Sequence, residues 1–405
     1  MSAPMKGPLE GIRILDLTIY QNGPYATCML ADMGADVIKV EDPVKGDPGR
    51  ATVISGENPR SGLKTYFESV NRNKRAITVD LKNAKGREVF YKLVEKADVV
   101  AQNYRVGVAE RLGIDYKTLK QHNAKIILAS NTGLGSKGPD AKTGTFDLIG
   151  QARGGFLEYT RNPKHPLTYF GRLGLADQVG AMMFAHGILL ALFARERQGV
   201  GQEVEVSQLG TQLMMQTLGI HTYLFTGQLP PFQQRDEYKN PLFNVYEGGD
   251  GKWFVLGANQ ADRYWSTVCN IFGLTHLEHD PRFATRPDRA KNTAALVRLL
   301  DERFKTKPSI HWLKLMRDAD IPCSLVQNYA EVVQDPQVVE NDYIVDFTHP
   351  QVGPIKVIGV PIQLSETPGA VRTMAPEFGQ HTEEVLLEHG YTWEQIEQLR
   401  SENVI

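Results

Sequence analysis

The sequence is poor in cysteine, in net charge and in long apolar runs, and each shortage removes a class of protein. Its 405 residues hold three cysteines. Cys28, Cys269 and Cys323 stand far apart without a CxxC pair, which excludes a disulfide framework or thiolate zinc site and suits a reducing compartment. Lys plus Arg (45) nearly cancels Asp plus Glu (47), for a formal charge of -2. No global field draws nucleic acid or an anionic membrane, so any anion site is a local cluster. One apolar run, VGAMMFAHGILLALFA at 179–194, contains His186 and is flanked by Asp177 and Arg195. It falls short of the ~20 residues of a membrane span and reads as a core helix. The start, MSAPMKGPLEG, has no apolar signal region, so a cytoplasmic protein without nucleic-acid or membrane partners is expected.

What is present is ordinary globular material. Apolar residues make up 41 %, with 37 glycines besides, and the length suits two to three domains at roughly 150 residues each. Short β-branched runs, IRILDL at 12–17, DVIKVE at 36–41, RAITVDL at 75–81, DVVAQN at 98–103 and KIILASN at 125–131, alternate with stretches of helical spacing. This predicts βαβ units around a buried parallel sheet. GVGQEVEVS then reads as a turn and strand. A proline-rich stretch from 227 opens a smaller α+β region, with a hairpin at FNVYEGGDGKWFVLG and helices near 260–272, 290–305 and 309–319. The expected organisation is an α/β large domain over 1–226, a linker and small α+β domain over 227–325, and a return to the large domain over 326–405.

Several residues stand out, each with a bland alternative. GLGSKG (Gly133–Gly138) fits GxGxxG after a strand, but Pro139 and DAKTGT continue a loop where a dinucleotide site needs a helix to open. GxxxxGK[ST], HExxH and GxSxG are absent, which removes several hydrolase and nucleotidase mechanisms. Arg72, Lys74 and Arg75 in NRNKR, with Arg105 and Arg111, are either solvated charges or a phosphate-binding group near strand ends. Asp177 opens the most apolar helix, as its N-cap or as a carboxylate nucleophile held where water is scarce. Gln21, at the end of the first strand, either serves an ordinary helix start or points into a cleft.

Taken together, GIRILDLTIYQNGPYAT, LADMGADVIKVEDPVKGDPGR, VNRNKRAITVDLKNAKGRE, DVVAQNYRVGVAERLGIDY, SNTGLGSKGP and LADQVGAMMFAHGILLALFARERQGVGQEVEVS resemble the class III CoA-transferases, in the family's order from about 12 to 207. The resemblance implies a Rossmann-like large domain, a small domain, a returning C-terminal segment and an interlocked dimer. A paired complex with a paralogue is an alternative partner arrangement. It implies that Asp177 is the catalytic aspartate, that Gln21 lies near the reacting carbonyl, and that Asp147 lines the same pocket. Asn103, Tyr104, Arg105 and Arg111 match the family's CoA-binding segment and, with Arg72, Lys74 and Arg75, would line the CoA nucleotide site. The substrates would be an acyl-CoA thioester as donor and a carboxylic acid as acceptor, with no metal and no permanently bound cofactor. Backbone amides at the start of the Asp177 helix, aided by Gln21, would stabilise the oxyanion.

Two departures stand out. The family's glycine-rich lid corresponds to GANQ, Gly257–Gln260, with one glycine. Where related α-methylacyl-CoA racemases carry a His-Asp pair, this chain has Phe146 before Asp147, and a phenyl ring moves no proton. The racemase and a non-catalytic CoA-binding subunit are the alternative readings. The Met- and aromatic-rich MMQTLGIHTYLF points to an aryl or branched acid, with succinyl-CoA as donor.

Overall fold

The computed structural model describes residues 7–54, 63–165, 167 and 174–405. Six parallel strands form the main sheet: β1 (Arg13–Asp16), β2 (Asp36–Glu41), β3 (Lys74–Thr78), β4 (Val99–Gln102), β5 (Ile127–Thr132) and β6 (Glu203–Ser207), in the order β3-β2-β1-β4-β5-β6. Both faces are covered, which is why the inner strands read as continuous apolar runs. On one face Leu15, Ile38, Ile77, Val100 and Leu128 pack with Phe90 and Leu93. On the other, Ile14, Val37, Val99 and Ile127 pack with Leu30, Phe184 and Ile188. This is the doubly wound α/β architecture expected from the alternating periods. Its strand order reverses between β1 and β4, and the loops leaving those two strands part to open a crevice.

The chain divides into two compact units, residues 1–230 with 340–405, and residues 231–339. The second unit holds an antiparallel sheet of β7 (Phe243–Glu247), β8 (Trp253–Gly257) and β9 (Cys323–Leu325) in that order. Phe254, Phe272, Phe304 and Trp312 meet edge-on beneath it. The GANQ segment that follows β8 is tied down: Gly257 N donates to Pro322 O (2.7 Å), Ala258 N to Leu242 O (2.9 Å), and Asn240 Nδ2 to the Ala258 and Asn259 carbonyls (3.2 Å each).

After the hairpin of β10 (Ile344–His349) and β11 (Gly353–Ile358), the chain covers the open edge of β3. His381 N donates to Ala76 O (2.8 Å), and Thr78 N donates to Thr382 Oγ1 (3.2 Å). The helices Thr382–Glu388 and Trp393–Ser401 add Val385, Leu386 and Ile396 to the core. Strand edges left bare invite pairing with other chains, and this return closes one.

The apolar run at 179–194 lies in a 24-residue helix, Leu175–Gln198. One face, with Gly180, Ala181, Phe184 and Ile188, is buried. The opposite face leaves Met182, Leu190 and Phe193 exposed by 54 %, 56 % and 62 %, so a helix expected to be wholly core is core on one side only.

Leu386 is fully buried, and Leu386→Ala is expected to cost about 3 kcal/mol in reversible urea unfolding. A loss under about 1 kcal/mol would show that the returning segment is not part of the large unit's core.

Candidate active site

A cavity of about 360 Å³ opens at the β1/β4 switch point, with Gln21, Asn22, Asn103, Arg105, Asp177 and Gln208 among its lining. Its floor is the loop after β1, and Asn103, just past β4, staples that loop. The Asn103 Oδ1 accepts from Ile19 N, while its Nδ2 donates to Ile19 O and Asn22 Oδ1, all at 2.8 Å. Tyr20 sits in the left-handed region at φ 63°, a conformation held only where surroundings over-determine it. Here Asp47 Oδ1 accepts the Tyr20 N–H (3.0 Å) and Asp47 pairs with Lys39 at 2.8 Å, both side chains buried. Lys39 Nζ also donates to Thr18 O (2.8 Å). A buried ion pair thus fixes the backbone immediately before Gln21.

Asp177 is the third residue of its helix. The N-cap is Gly174 in the left-handed region (φ 55°), and no side chain of the N-cap itself bonds the first turn. That task falls to Asp147, whose Oδ1 accepts from Ala176 N (2.7 Å) and Asp177 N (3.1 Å) and whose Oδ2 accepts from Gln151 Nε2 (2.6 Å). The Gln178 N–H is spent on Gly174 O (2.8 Å). Asp177 is therefore not the helix cap, and the amides of residues 176–178 are not free to hold an oxyanion. That corrects the expected oxyanion site. Asp147 departs from a second expectation: its carboxylate binds the first-turn amides of the Asp177 helix, and it is not among the described residues lining the cavity.

Gln208 Nε2 donates to Asp177 Oδ1, and the Asn22 side chain is its second hydrogen-bond partner. No lysine or arginine among the described residues pairs with Asp177. Burial, reinforced by the charge of Asp147 and only partly offset by the bonds from Gln208 and Asn22, pushes its carboxyl up to about 7. Burial and the nearby charges of Asp177 and Asp47 likewise push the Tyr66 phenol up, so Tyr66 is a neutral donor beside the site. Gln21 lies against the helix start: a Cβ on Gly174 would displace its side-chain amide, and the φ of 55° there favours glycine.

The other sequence-chosen residues separate into two groups. Asn103, Tyr104 and Arg105 line this cavity, and Tyr104 and Ile19 also wall a second one of about 240 Å³ at the ends of β1, β2 and β3. Exposed Arg111 adjoins Leu112, which lines the second cavity. Arg72, Lys74 and Arg75 are not at either cavity, a further correction. Parallel sheets bind ligands at the carboxyl ends of their strands, and these residues surround the amino end of β3. There, Arg72 bonds Asp32 (2.7 Å), Lys74 is buried against Asp16 (2.9 Å), and Arg75 bonds Asp36 and Glu388 (2.7 Å each). The loop after Gly133 opens no helix at Gly138, as Pro139 implied.

Asn22, Asp47, Tyr66, Asn131 and Gln208 are site residues that sequence reasoning passed over. Gln208 directly follows β6 and Asn131 is next to last in β5, so polar residues at parallel-strand termini were the available signal.

The raised Asp177 carboxyl has a stability consequence. The folded protein holds this proton to higher pH than the unfolded chain does, so stability is lost as pH rises from the ordinary 3.8 to about 7. Asp177→Asn is expected to be more stable than the parent above about pH 7, on the order of 2 kcal/mol, with the difference vanishing at acid pH. Thermal melts across pH test this. A variant less stable than the parent at high pH would contradict the uncompensated carboxylate.

The model for CoA-transferase family III matches residues 9–382. The chain is 34 % identical to the acetyl-CoA:oxalate CoA-transferase of Acetobacter aceti, covering 91 % of this chain and 93 % of that one. It is 33 % identical to the succinyl-CoA–D-citramalate CoA-transferase of Chloroflexus aurantiacus, covering 98 % of each. A crystal structure of a CAIB/BAIF family protein from Brucella suis superposes with a TM-score of 0.83 at 29 % identity, over 95 % of this chain and all of that one. The protein is a member of CoA-transferase family III.

Proposed function

We propose that the protein moves CoA from a donor acyl-CoA to an acceptor carboxylic acid through covalent intermediates on Asp177. The observation that carries this reading is a carboxylate lining a cavity at the sheet's switch point that, among the described residues, has no cationic partner and is bonded by neutral amides. An ion pair would quench its nucleophilicity; a desolvated, amide-oriented carboxylate keeps it.

In the proposed sequence Asp177 attacks the thioester carbonyl, forming a mixed anhydride and releasing CoA thiolate. The thiolate attacks the aspartyl carbonyl, giving an aspartyl-CoA thioester and freeing the donor acid. An acceptor carboxylate then reverses both steps. One thioester replaces another, so the exchange is nearly isoenergetic and calls for no ATP or metal. With the first amides of the helix taken by Asp147, the oxyanion donors are side chains. Gln21, packed on Gly174, is the foremost, and one such donor contributes about 3 kcal/mol. Tyr104 and Ile19, which wall both cavities, join the Asp177 cavity to the second, where the nucleotide end of CoA would lie with Arg111 nearby.

The racemase reading loses ground. Phe146 lines the cavity with its ring edge-on to Tyr20 (centroids 5.7 Å), and no histidine lines it. The expectation of a bulky aryl or branched acid loses its basis too. MMQTLGIHTYLF lies on the helices Gln208–Met215 and Thr217–Thr226, none of its residues lines the cavity, and Leu218 and Phe225 are exposed. The relatives act on oxalate and citramalate by name, which supports small polar acids. The exposed apolar faces at Met182, Leu190, Phe193, Leu218 and Phe225 support a dimer in which a second copy covers them.

Mixing the protein with acyl-CoA and quenching with hydroxylamine is expected to leave a hydroxamate on Asp177, found by mass spectrometry. Asp177→Ala is expected to lose at least ~10³-fold in exchange rate. Exchange should fall as pH drops below about 7, because protonation removes the nucleophile. Asp147→Asn should move that limb to lower pH by removing a like charge. Full exchange by Asp177→Ala would refute the reading.

A further inference from the structure

The wall of the Asp177 cavity contains one side chain whose chemistry is unspent. Asn131, next to last in β5, lines the cavity and is only 2 % exposed, yet neither its Nδ2 nor its Oδ1 has a hydrogen-bond partner among the described residues. Buried amides are nearly always satisfied, and leaving one bare is costly. A site that tolerates this cost is one whose partner arrives with a ligand. Gln208 is different, since its Nε2 is already committed to Asp177.

Asn131 packs beside Gly180, three residues beyond Asp177 on the same helix. A Cβ placed on Gly180 would find Asn131 Nδ2 and Gln208 Cγ at 3.8 Å and Thr211 Oγ1 at 3.9 Å, ordinary contact distances. Residues three apart share a helix face at a rise of ~4.5 Å, so the Asn131 amide faces the same side of the helix as the reacting carboxylate.

We infer that Asn131 is a specificity-determining residue that hydrogen-bonds a distal carboxylate or hydroxyl oxygen of the exchanging acid. The acids handled are thereby ones with a second oxygen function beyond the reacting carboxyl. This rests on the CoA-transfer reading and names its substrate class. Among the described residues the only cationic side chain lining the cavity is exposed Arg105, so at this depth recognition is by a neutral amide, which serves a hydroxyl as well as a carboxylate.

The test uses the full-length protein with succinyl-CoA or acetyl-CoA as donor and three acceptors: succinate, γ-hydroxybutyrate and isocaproate, the last being an apolar isostere of succinate. Hydroxylamine trapping at Asp177 is scored separately. The parent is expected to favour both oxygenated acids over isocaproate in kcat/KM by roughly tenfold or more. Asn131→Leu, of similar volume, should reduce that preference by roughly tenfold. Asn131→Asp should lose succinate in preference to γ-hydroxybutyrate, since the new anion repels a carboxylate but accepts from a hydroxyl. A parent with no preference, an unchanged preference in Asn131→Leu, or equal losses in Asn131→Asp would each overturn the proposal while trapping at Asp177 persists. Absence of trapping would instead sink the CoA-transfer reading and this proposal with it.

Discussion

The carboxylate of Asp147, by occupying the amides of Ala176 and Asp177, is the constraint on which the site depends. A helix N-terminus ordinarily stabilises the nearest anion, and without Asp147 that anion would be Asp177. With the amides taken, the donors to Asp177 among the described residues are neutral side chains, and a neighbouring carboxylate repels it. Its proton affinity rises accordingly. The fold accepts a less stable arrangement here in exchange for a reactive oxygen, the pattern expected where stability and function compete.

A second carboxylate does related work below the loop after β1. Asp47 pairs with Lys39 in the interior and uses its other oxygen on the Tyr20 N–H, while Asn103 ties Ile19 and Asn22. Three strands thereby agree on the position of four residues. Buried ion pairs are weak contributors to stability in general. This one acts by fixing a strained backbone so that Gln21 and Asn22 face Asp177.

The sheet and its order of elements were legible because buried parallel strands and amphipathic helices have different periods. The crevice followed from topology. Asp177 was legible as an acid at the head of an apolar helix, but its role was not, because a cap and a nucleophile have the same sequence appearance. Only the placement of Asp147, thirty residues earlier, separates them. The NRNKR cluster misled for a related reason: Arg72, Lys74 and Arg75 look like unpaired charge along the chain, and their partners Asp32, Asp16 and Asp36 are distant in sequence. Asn131 was hidden as the polar end of an apolar strand. Its lack of a partner is a three-dimensional fact. The apolar helix Leu175–Gln198 reads as wholly buried because composition does not tell a core face from an exposed apolar one.

The central claim is that Asp177 itself carries the cargo, and the fate of one oxygen atom tests it most directly. In the proposed sequence an acceptor carboxylate labelled with heavy oxygen leaves one of its oxygens on Asp177 when CoA thiolate cleaves the mixed anhydride. Mass spectrometry of the peptide containing Asp177 after a single turnover should find one heavy oxygen in its carboxyl group. Formation of the new acyl-CoA with no heavy oxygen in Asp177 would contradict the account.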